Sequence, residues 1–593
     1  MNLNEWYVSG YKSISEESIE LDDLTILIGK NNSGKSNLLE SLQVYAYSIT
    51  GPSNYEDQLE DFENCLNKTD EMSTITFEAT YKTSIEERNQ IYDLIDGLSP
   101  ELLSKLSFAS SLRHKVEFGE NWQLKATAFE VTINDEFVKI RERQKSTKGY
   151  DSQFVKLKNM ENRGLQKASK IEDLPTEAMA IRNPENSIPG SFQLIEDSLS
   201  SWDAIDAFRQ PKNRTEARMA TELDSQGKNL VRVAQTLQGS NRELFNLAEE
   251  RFVSIMDAVK SITTPYREKT NITISVTEMG NSEKFDLSSL SSGTKEILTL
   301  IFGTINAENE SELLMIEEPE LHLHPEAERE VYEMITEVAS ESTQIIVATH
   351  SNVFVDESNI SNIIRAERNR TTEFRSISSE DIHEELLDLG YSQSGLLQSE
   401  GVIFVEGKSD KMVILAIAKN LGYDFNDLGI TLIPLEGESK MRTHGRSLVK
   451  TLYAFGIPYR FLVDSDGKEK YEVKKQYVDN INRGEKKTEW YTTPEHFLVW
   501  SKYDLESYLV SCPQAIAEET NMDVDMICEI IKYNSHIEKK SEVLDKIYSR
   551  SYDQLEDGNA YQKDVDGMKI AKHINDVPPE MKNKIEEFVS IVG

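Results

Sequence analysis

Residues 29–36 read Gly29-Lys30-Asn31-Asn32-Ser33-Gly34-Lys35-Ser36. At this spacing the two glycines let backbone N–H groups turn inward around a phosphate, and a helix starting at the lysine adds its dipole. Lys35 is placed to neutralise the β- and γ-phosphates, and the Ser36 hydroxyl to ligate Mg²⁺. Gly29, Asn32, Gly34, Lys35, Ser36 and Asn37 are therefore the candidate nucleotide contacts. Much later, Leu313-Leu314-Met315-Ile316 runs as an apolar strand into Glu317-Glu318-Pro319. Two acids at a strand end suit a Mg²⁺ shell (Glu317) and the orientation and deprotonation of an attacking water (Glu318). Ser291, Ser292 and Gly293 open a helix with small residues suited to a γ-phosphate, and His350 closes a further strand where a polar side chain can sense that phosphate. The chemistry these residues point to is binding and hydrolysis of ATP with Mg²⁺.

A second set lies in the last third of the chain. Val402-Ile403-Phe404-Val405 is an apolar strand ending in Glu406-Gly407, with Asp410 one helical turn on. Phe461-Leu462-Val463 ends in the same way, in Asp464-Ser465-Asp466-Gly467. Acids just past strand C-termini face the crevice where open α/β sheets bind ligands. Carboxylates gathered there repel one another, and hard divalent cations are the natural explanation. Such ions activate water and steady a departing oxygen in phosphodiester hydrolysis.

The first set resembles the ABC-type ATPase head of SMC, RecF and Rad50 proteins, in which the serine–glycine signature of one subunit completes the site of another. That family usually has Asp-Glu where this chain has Glu317-Glu318. The run Glu318-Pro319-Glu320-Leu321-His322-Leu323-His324-Pro325 is similar to the overcoming-lysogenisation-defect (OLD) branch. The second set resembles the Toprim fold, and an ATPase head followed by Toprim is the OLD arrangement. The resemblance implies an ATP-regulated, metal-dependent DNA endonuclease of prokaryotic anti-phage defence. It adds Glu506, in Tyr503-Asp504-Leu505-Glu506, as a further metal ligand. It also implies a transition-state lysine near the C-terminus, with Lys569 the best match and Lys563 the competitor. The full set for Mg²⁺ or Mn²⁺ is then Glu406, Asp410, Asp464, Asp466 and Glu506. His322 and His324 are expected to serve the loop rather than a metal.

The elements that must hold these residues follow from periodicity. Leu24–Ile28 is a short buried strand, and helical spacing follows through Leu38, Leu39 and Leu42. Residues 140–200 read as irregular and 214–262 as mostly helical. Near 395 strands and helices alternate again, as in a second parallel α/β unit, and the last ninety residues read as helical. The expected fold class is α/β: an ABC/SMC-like P-loop head with a helical dimerisation insertion, followed by a C-terminal Toprim domain. The expected boundaries are 1–160 and 266–380 for the head, 161–265 for the insertion and 398–593 for the Toprim domain. No sustained heptads occur between Ser36 and Leu290, which argues against long coiled-coil arms.

Composition narrows the classes. The chain has 593 residues, enough for several domains, with 38% apolar and 28% charged residues, as in a globular protein. No apolar run reaches the ~18–20 residues of a membrane span, and the start lacks a secretory pattern, so a cytoplasmic protein is expected. Three cysteines without CxxC exclude a disulfide framework or cysteine-rich zinc module, and with it a bacterial-type primase. The net charge of −38 is unfavourable for polyanions, so DNA contact must come from local patches or bridging metals. Residues 139–170 carry ten Lys/Arg against three acids, and 467–488 seven against four. Expected partners are DNA, further copies of the chain as a homodimer or homotetramer, and a defence-system helicase or retron component. The alternative reading is an ATPase clamp whose Toprim domain recognises DNA without cutting it.

Overall fold

The structure, a computed structural model, describes the chain apart from residues 51–61, 88–107, 152–194, 377–391, 484–489 and 553–560 and a few single or paired positions. Its two compact units are Met1–Phe374 and Arg375–Gly593. Of the segments assigned above, 161–194 of the insertion lie outside the described residues, as do the side chains of the basic stretch 139–170 and residues 484–488 of the second.

Besides two small sheets of two and three strands, the first unit has two large ones. One is a seven-stranded antiparallel sheet in the order Ile14–Glu20, Asn2–Tyr11, Ile75–Lys82, Phe108–Gly119, Gln123–Ile133, Glu136–Ser146, Gly149–Asp151. The other has six strands, in the order Thr372–Arg375, Ile363–Arg368, Leu24–Ile28, Gln344–Ala348, Leu313–Glu317, Trp202–Ile205. From Ile363–Arg368 to Trp202–Ile205 the pairings are parallel. Parallel strands covered on both faces must be apolar throughout, and Leu24–Ile28 and Gln344–Ala348 are buried at every position. The helix Lys35–Thr50 shares one core with both sheets, which explains why it is apolar beyond a single stripe. Trp6 stacks on Phe77 and donates its indole N–H to Ser41 of that helix at 3.1 Å. Burying such a side chain contributes about 2–3 kcal/mol, so helix and antiparallel sheet hold one another in place.

Two expectations for this unit need correction. Residues 140–146 and 149–151 are not irregular: Glu136–Ser146 pairs along Gln123–Ile133 and Gly149–Asp151 pairs back on it. Its charged composition had masked the strand. Residues 214–262 are helical only over Leu230–Ser240 and Arg242–Ile255; Thr215–Glu216 and Val259–Thr263 are strands.

The second unit centres on four parallel strands in the order Ile430–Pro434, Gly401–Val405, Tyr459–Val463, Phe497–Val499. The last is only three residues long and gave no pattern to read. Phe404, Phe461 and Phe497 stand opposite one another on adjacent strands, and their rings stack at 4.7 Å in both steps. Tyr477, from the helix Lys470–Ile481, stacks on Phe497 at 5.8 Å. The helix Lys408–Asn420 packs against Lys563–Lys572, and both share a core with Phe588 of the last helix, Pro579–Val589. Among the described residues no helix is long and apolar enough to cross a membrane.

Candidate functional sites

In the first unit the parallel register sets the sheet's C-terminal ends side by side, with Glu317 opposite Ala348 and Ala348 opposite Leu27. The loop after Leu24–Ile28 turns through left-handed backbone at Asn32 and Gly34, with φ of 64° and 108°. A Cβ on Gly34 would lie 2.3 Å from the Thr372 hydroxyl, so this position requires glycine. A cleft of about 570 Å³ opens above the loop, lined by Asn32, Lys35, Ser36, Glu317, Glu318 and His350 among others. Lys35 Nζ donates to the carbonyls of Gly29 (2.8 Å) and Lys30 (3.3 Å) and lies 2.9 Å from His350 Nε2. Burial lowers its pKa to about 8 against the opposing pull of Glu318, Glu320 and Glu317. Burial also lowers His350, with the Lys35 charge adding to it. Glu317 is raised by burial even though its carboxylate accepts from the Ser36 hydroxyl and the Ala207 backbone.

The donor set fits a magnesium nucleotide. Ser36 and Glu317 already meet, and the buried Ser33 hydroxyl has no partner among the described residues. Ser291, Ser292 and Gly293 are not brought to this cleft. Ser291 caps the helix Ser292–Glu310 by accepting from Thr294 N–H, and both serines face solvent. His322 Nδ1 lies 2.9 Å from Glu296 of the helix Ser292–Glu310, and His324 Nδ1 accepts from the Glu326 N–H.

In the second unit the carboxylates come from three segments, 406–410, 464–466 and the helix Glu506–Leu509. Glu406 Oε1 accepts from the Asp464 backbone N–H at 2.8 Å and from the Tyr477 hydroxyl at 3.3 Å. Asp410 Oδ2 accepts from Gly407 N–H at 2.8 Å, which ties it to the turn that carries Glu406. Glu506 Oε1 pairs with Lys563 Nζ at 3.0 Å, while its buried Oε2 has no partner among the described residues. Burial, then the charges of Glu406, Asp410 and Glu506, push Asp464 up to about 9, with Lys563 opposing. Burial raises Asp410 to about 7 against Lys563, with Glu506 and Glu406 adding. Glu406 is likewise raised, by burial first and then by Asp466. Asp466 is exposed, in left-handed backbone with φ of 47°.

These acids press charge on one another in a buried crevice. A carboxylate oxygen left without a partner is a place for a cation, and an all-oxygen set suits Mg²⁺ or Mn²⁺. Among the described residues no three His, Cys, Asp or Glu side chains already converge as a finished metal cage.

The two candidate lysines have different surroundings. Lys569 Nζ pairs with Asp566 at 3.1 Å and with Glu519 at 3.7 Å. Lys563 opens the same helix and reaches Glu506 instead. Six positions are not a whole number of helical turns, so the two lysines point in different directions. Burial works against the Lys563 ammonium, but Glu506, Asp410 and Asp464 outweigh it and raise its pKa. Sequence reading missed two other residues, Tyr477 and the buried Arg209 considered below. An aromatic in a lysine-rich stretch and an isolated arginine carry no motif.

The fold and sites define a P-loop ATPase head joined in one chain to a parallel-sheet domain with a carboxylate crevice. Residues 1–355 match the AAA ATPase domain family, and 397–466 match the TOPRIM domain of overcoming lysogenization defect protein-like sequences. The chain belongs to the AAA ATPase domain family and carries an OLD-like TOPRIM domain. It is 23% identical over 506 residues to the Old nuclease of Escherichia phage P2, covering 77% of this chain and 76% of that protein. It is 27% identical over 167 residues to the OLD nuclease of Thermus scotoductus, covering 26% and 30%. A solved SMC head domain from Thermotoga maritima aligns with 64% of this chain and 100% of its own, at 14% identity and a TM-score of 0.32.

Proposed function

We propose that the chain is an ATP-binding and ATP-hydrolysing DNA endonuclease, nicking or cutting with Mg²⁺ or Mn²⁺. The observation that carries the reading is the joining of Glu406 to Asp464, with Glu506 and Lys563 beside them. The names of the two nuclease relatives support it. Glu406, Asp410, Asp464, Asp466 and Glu506 would hold the metal, which supplies water activation and stabilisation of the leaving oxygen. Lys563 holds Glu506 in place and offers positive charge to a phosphate. Lys468, Lys470, Lys474 and Lys475 follow directly on Asp466 and would track the DNA backbone.

In the head, Lys35 would bind the β- and γ-phosphates, Ser36 and Glu317 the Mg²⁺, and Glu318 the attacking water. The exposed Ser291-Ser292-Gly293 would serve the cleft of a second copy, in a homodimer or homotetramer. The biological setting is prokaryotic anti-phage defence in the cytoplasm, alone or with a helicase or retron component.

A DNA-binding clamp with a non-cutting TOPRIM domain is the second reading, favoured by the lack of a finished metal cage among the described residues. Plasmid cleavage by wild type and Asp464→Asn, across Mg²⁺, Mn²⁺ and ATP levels, decides between them. Cutting by the wild type alone supports the nuclease. Intact plasmid with both proteins supports the clamp.

A further inference from the structure

Arg209 lies four residues past the edge strand Trp202–Ile205 and is 5% exposed. Its Nη2 donates to two consecutive carbonyls, Glu317 O at 2.7 Å and Glu318 O at 3.1 Å. These belong to the two acids at the end of Leu313–Glu317. Glu318 has a φ of 43°, left-handed backbone that is strained for a residue with a Cβ and persists only where its surroundings enforce it. Its N–H donates to Ala348 O at 2.7 Å, on the neighbouring strand. The peptide units on both sides of Glu318 are therefore fixed, one by the sheet and the other by the guanidinium.

The surroundings of Arg209 extend this hold. Its charge is opposed by Glu296, Glu320, Asp206 and Glu318. Glu296 lies on the helix opened by Ser291–Gly293, and Glu320 accepts the His350 N–H at 2.6 Å. Arg209 Nε is buried and has no hydrogen-bond partner among the described residues, and the same is true of Glu320 Oε2. A buried guanidinium that spends its donors on carbonyls of a strained turn is costly unless the turn needs it.

We propose that Arg209 is the positioning residue of the ATP site: it holds the Glu318 backbone in left-handed conformation and so aims the Glu318 carboxylate into the cleft. The inference rests on the reading of Glu318 as the group that orients the attacking water. Arg209 touches neither nucleotide nor metal in this scheme. Its loss should spare ATP binding and slow hydrolysis.

The test uses full-length Arg209→Met and Arg209→Lys, with a labelled ATP analogue for affinity, steady-state phosphate release, and amide exchange of the peptide spanning 313–324. A misaimed catalytic group costs about 100-fold, so Arg209→Met should lower kcat by that order while KM and analogue affinity stay within about twofold. Arg209→Lys keeps a donor and the charge and should recover roughly a tenth or more of the lost rate, which a general loss of folding would not allow. Exchange across 313–324 should quicken in Arg209→Met. A kcat for Arg209→Met within threefold of wild type, or a KM that rises in step with the fall in kcat, overturns the proposal. Should the wild type release no phosphate, the hydrolysis reading fails by itself. The exchange arm then decides, and unchanged protection of 313–324 in Arg209→Met rejects the role of Arg209.

Discussion

The backbone N–H of Asp464 donates to the Glu406 carboxylate at 2.8 Å, although 58 positions separate them. Adjacent parallel strands bring the two turns together, and because the donor is the Asp464 backbone the contact survives substitution of the Asp464 side chain. Asp464→Asn should cut plasmid at least about 100-fold more slowly than wild type, the scale expected when a metal site is disabled. Mn²⁺ should raise the Tm of the wild type and not that of the variant, since only a bound ligand stabilises the fold. Equal Tm gains would show that the metal binds elsewhere.

Lys563 and Lys569 share one helix but have different partners. Lys563→Met removes the cation beside Glu506 and should lower cleavage by about 10- to 100-fold, as loss of a ligand-supporting group does. Lys569→Met should change it less than about threefold, because surface ion pairs contribute little. Cleavage rates in parallel at saturating metal settle the ranking; the opposite order would assign the role to Lys569.

Glu318→Gln keeps the shape of the side chain and removes its basicity. Phosphate release should fall by about 100- to 1,000-fold, the usual scale for a lost general base, while nucleotide affinity remains within twofold. Similar rates in both proteins would remove Glu318 from the chemistry.

His114, on the strand Phe108–Gly119 of the antiparallel sheet, is buried, with Nδ1 2.7 Å from the Tyr45 hydroxyl. Burial lowers its pKa to about 3 from the ordinary 6.5. The unfolded chain therefore binds a proton between these values that the folded chain refuses. Stability is complete above pH 6.5 and declines as pH falls towards 3, by at most about 1.4 kcal/mol per unit from this one group. Melting curves from pH 7.5 to 5 should show a steeper Tm loss in wild type than in His114→Gln. Parallel curves would contradict the assignment.

Much of this was legible because apolar strands end in the residues that do chemistry. Leu24–Ile28, Leu313–Glu317, Gly401–Val405 and Tyr459–Val463 each announced an acid or a phosphate loop by ending there. What could not be read depends on three-dimensional neighbours. Whether Lys563 or Lys569 faces Glu506 is a matter of helix rotation against Lys408–Asn420. Arg209 is recognised only by the two carbonyls it binds. The strand Phe497–Val499 is too short for periodicity and exists because Tyr459–Val463 offers it a free edge. Glu136–Ser146 hid behind its charge, since alternation of like-charged residues resembles a solvated loop.

The ring ladder of Phe404, Phe461 and Phe497 runs across the same strands whose tips carry Glu406 and Asp464. The backbone ladder sets the pitch between those strands, and the rings, spaced at the same interval, fill it with continuous aromatic contact. Tyr477 joins the pile at one end and returns its hydroxyl to Glu406. The aromatic stack thus ends on a side chain that contacts one of the acids, and Phe461→Leu should loosen the seat of Tyr477 and with it the Glu406 carboxylate.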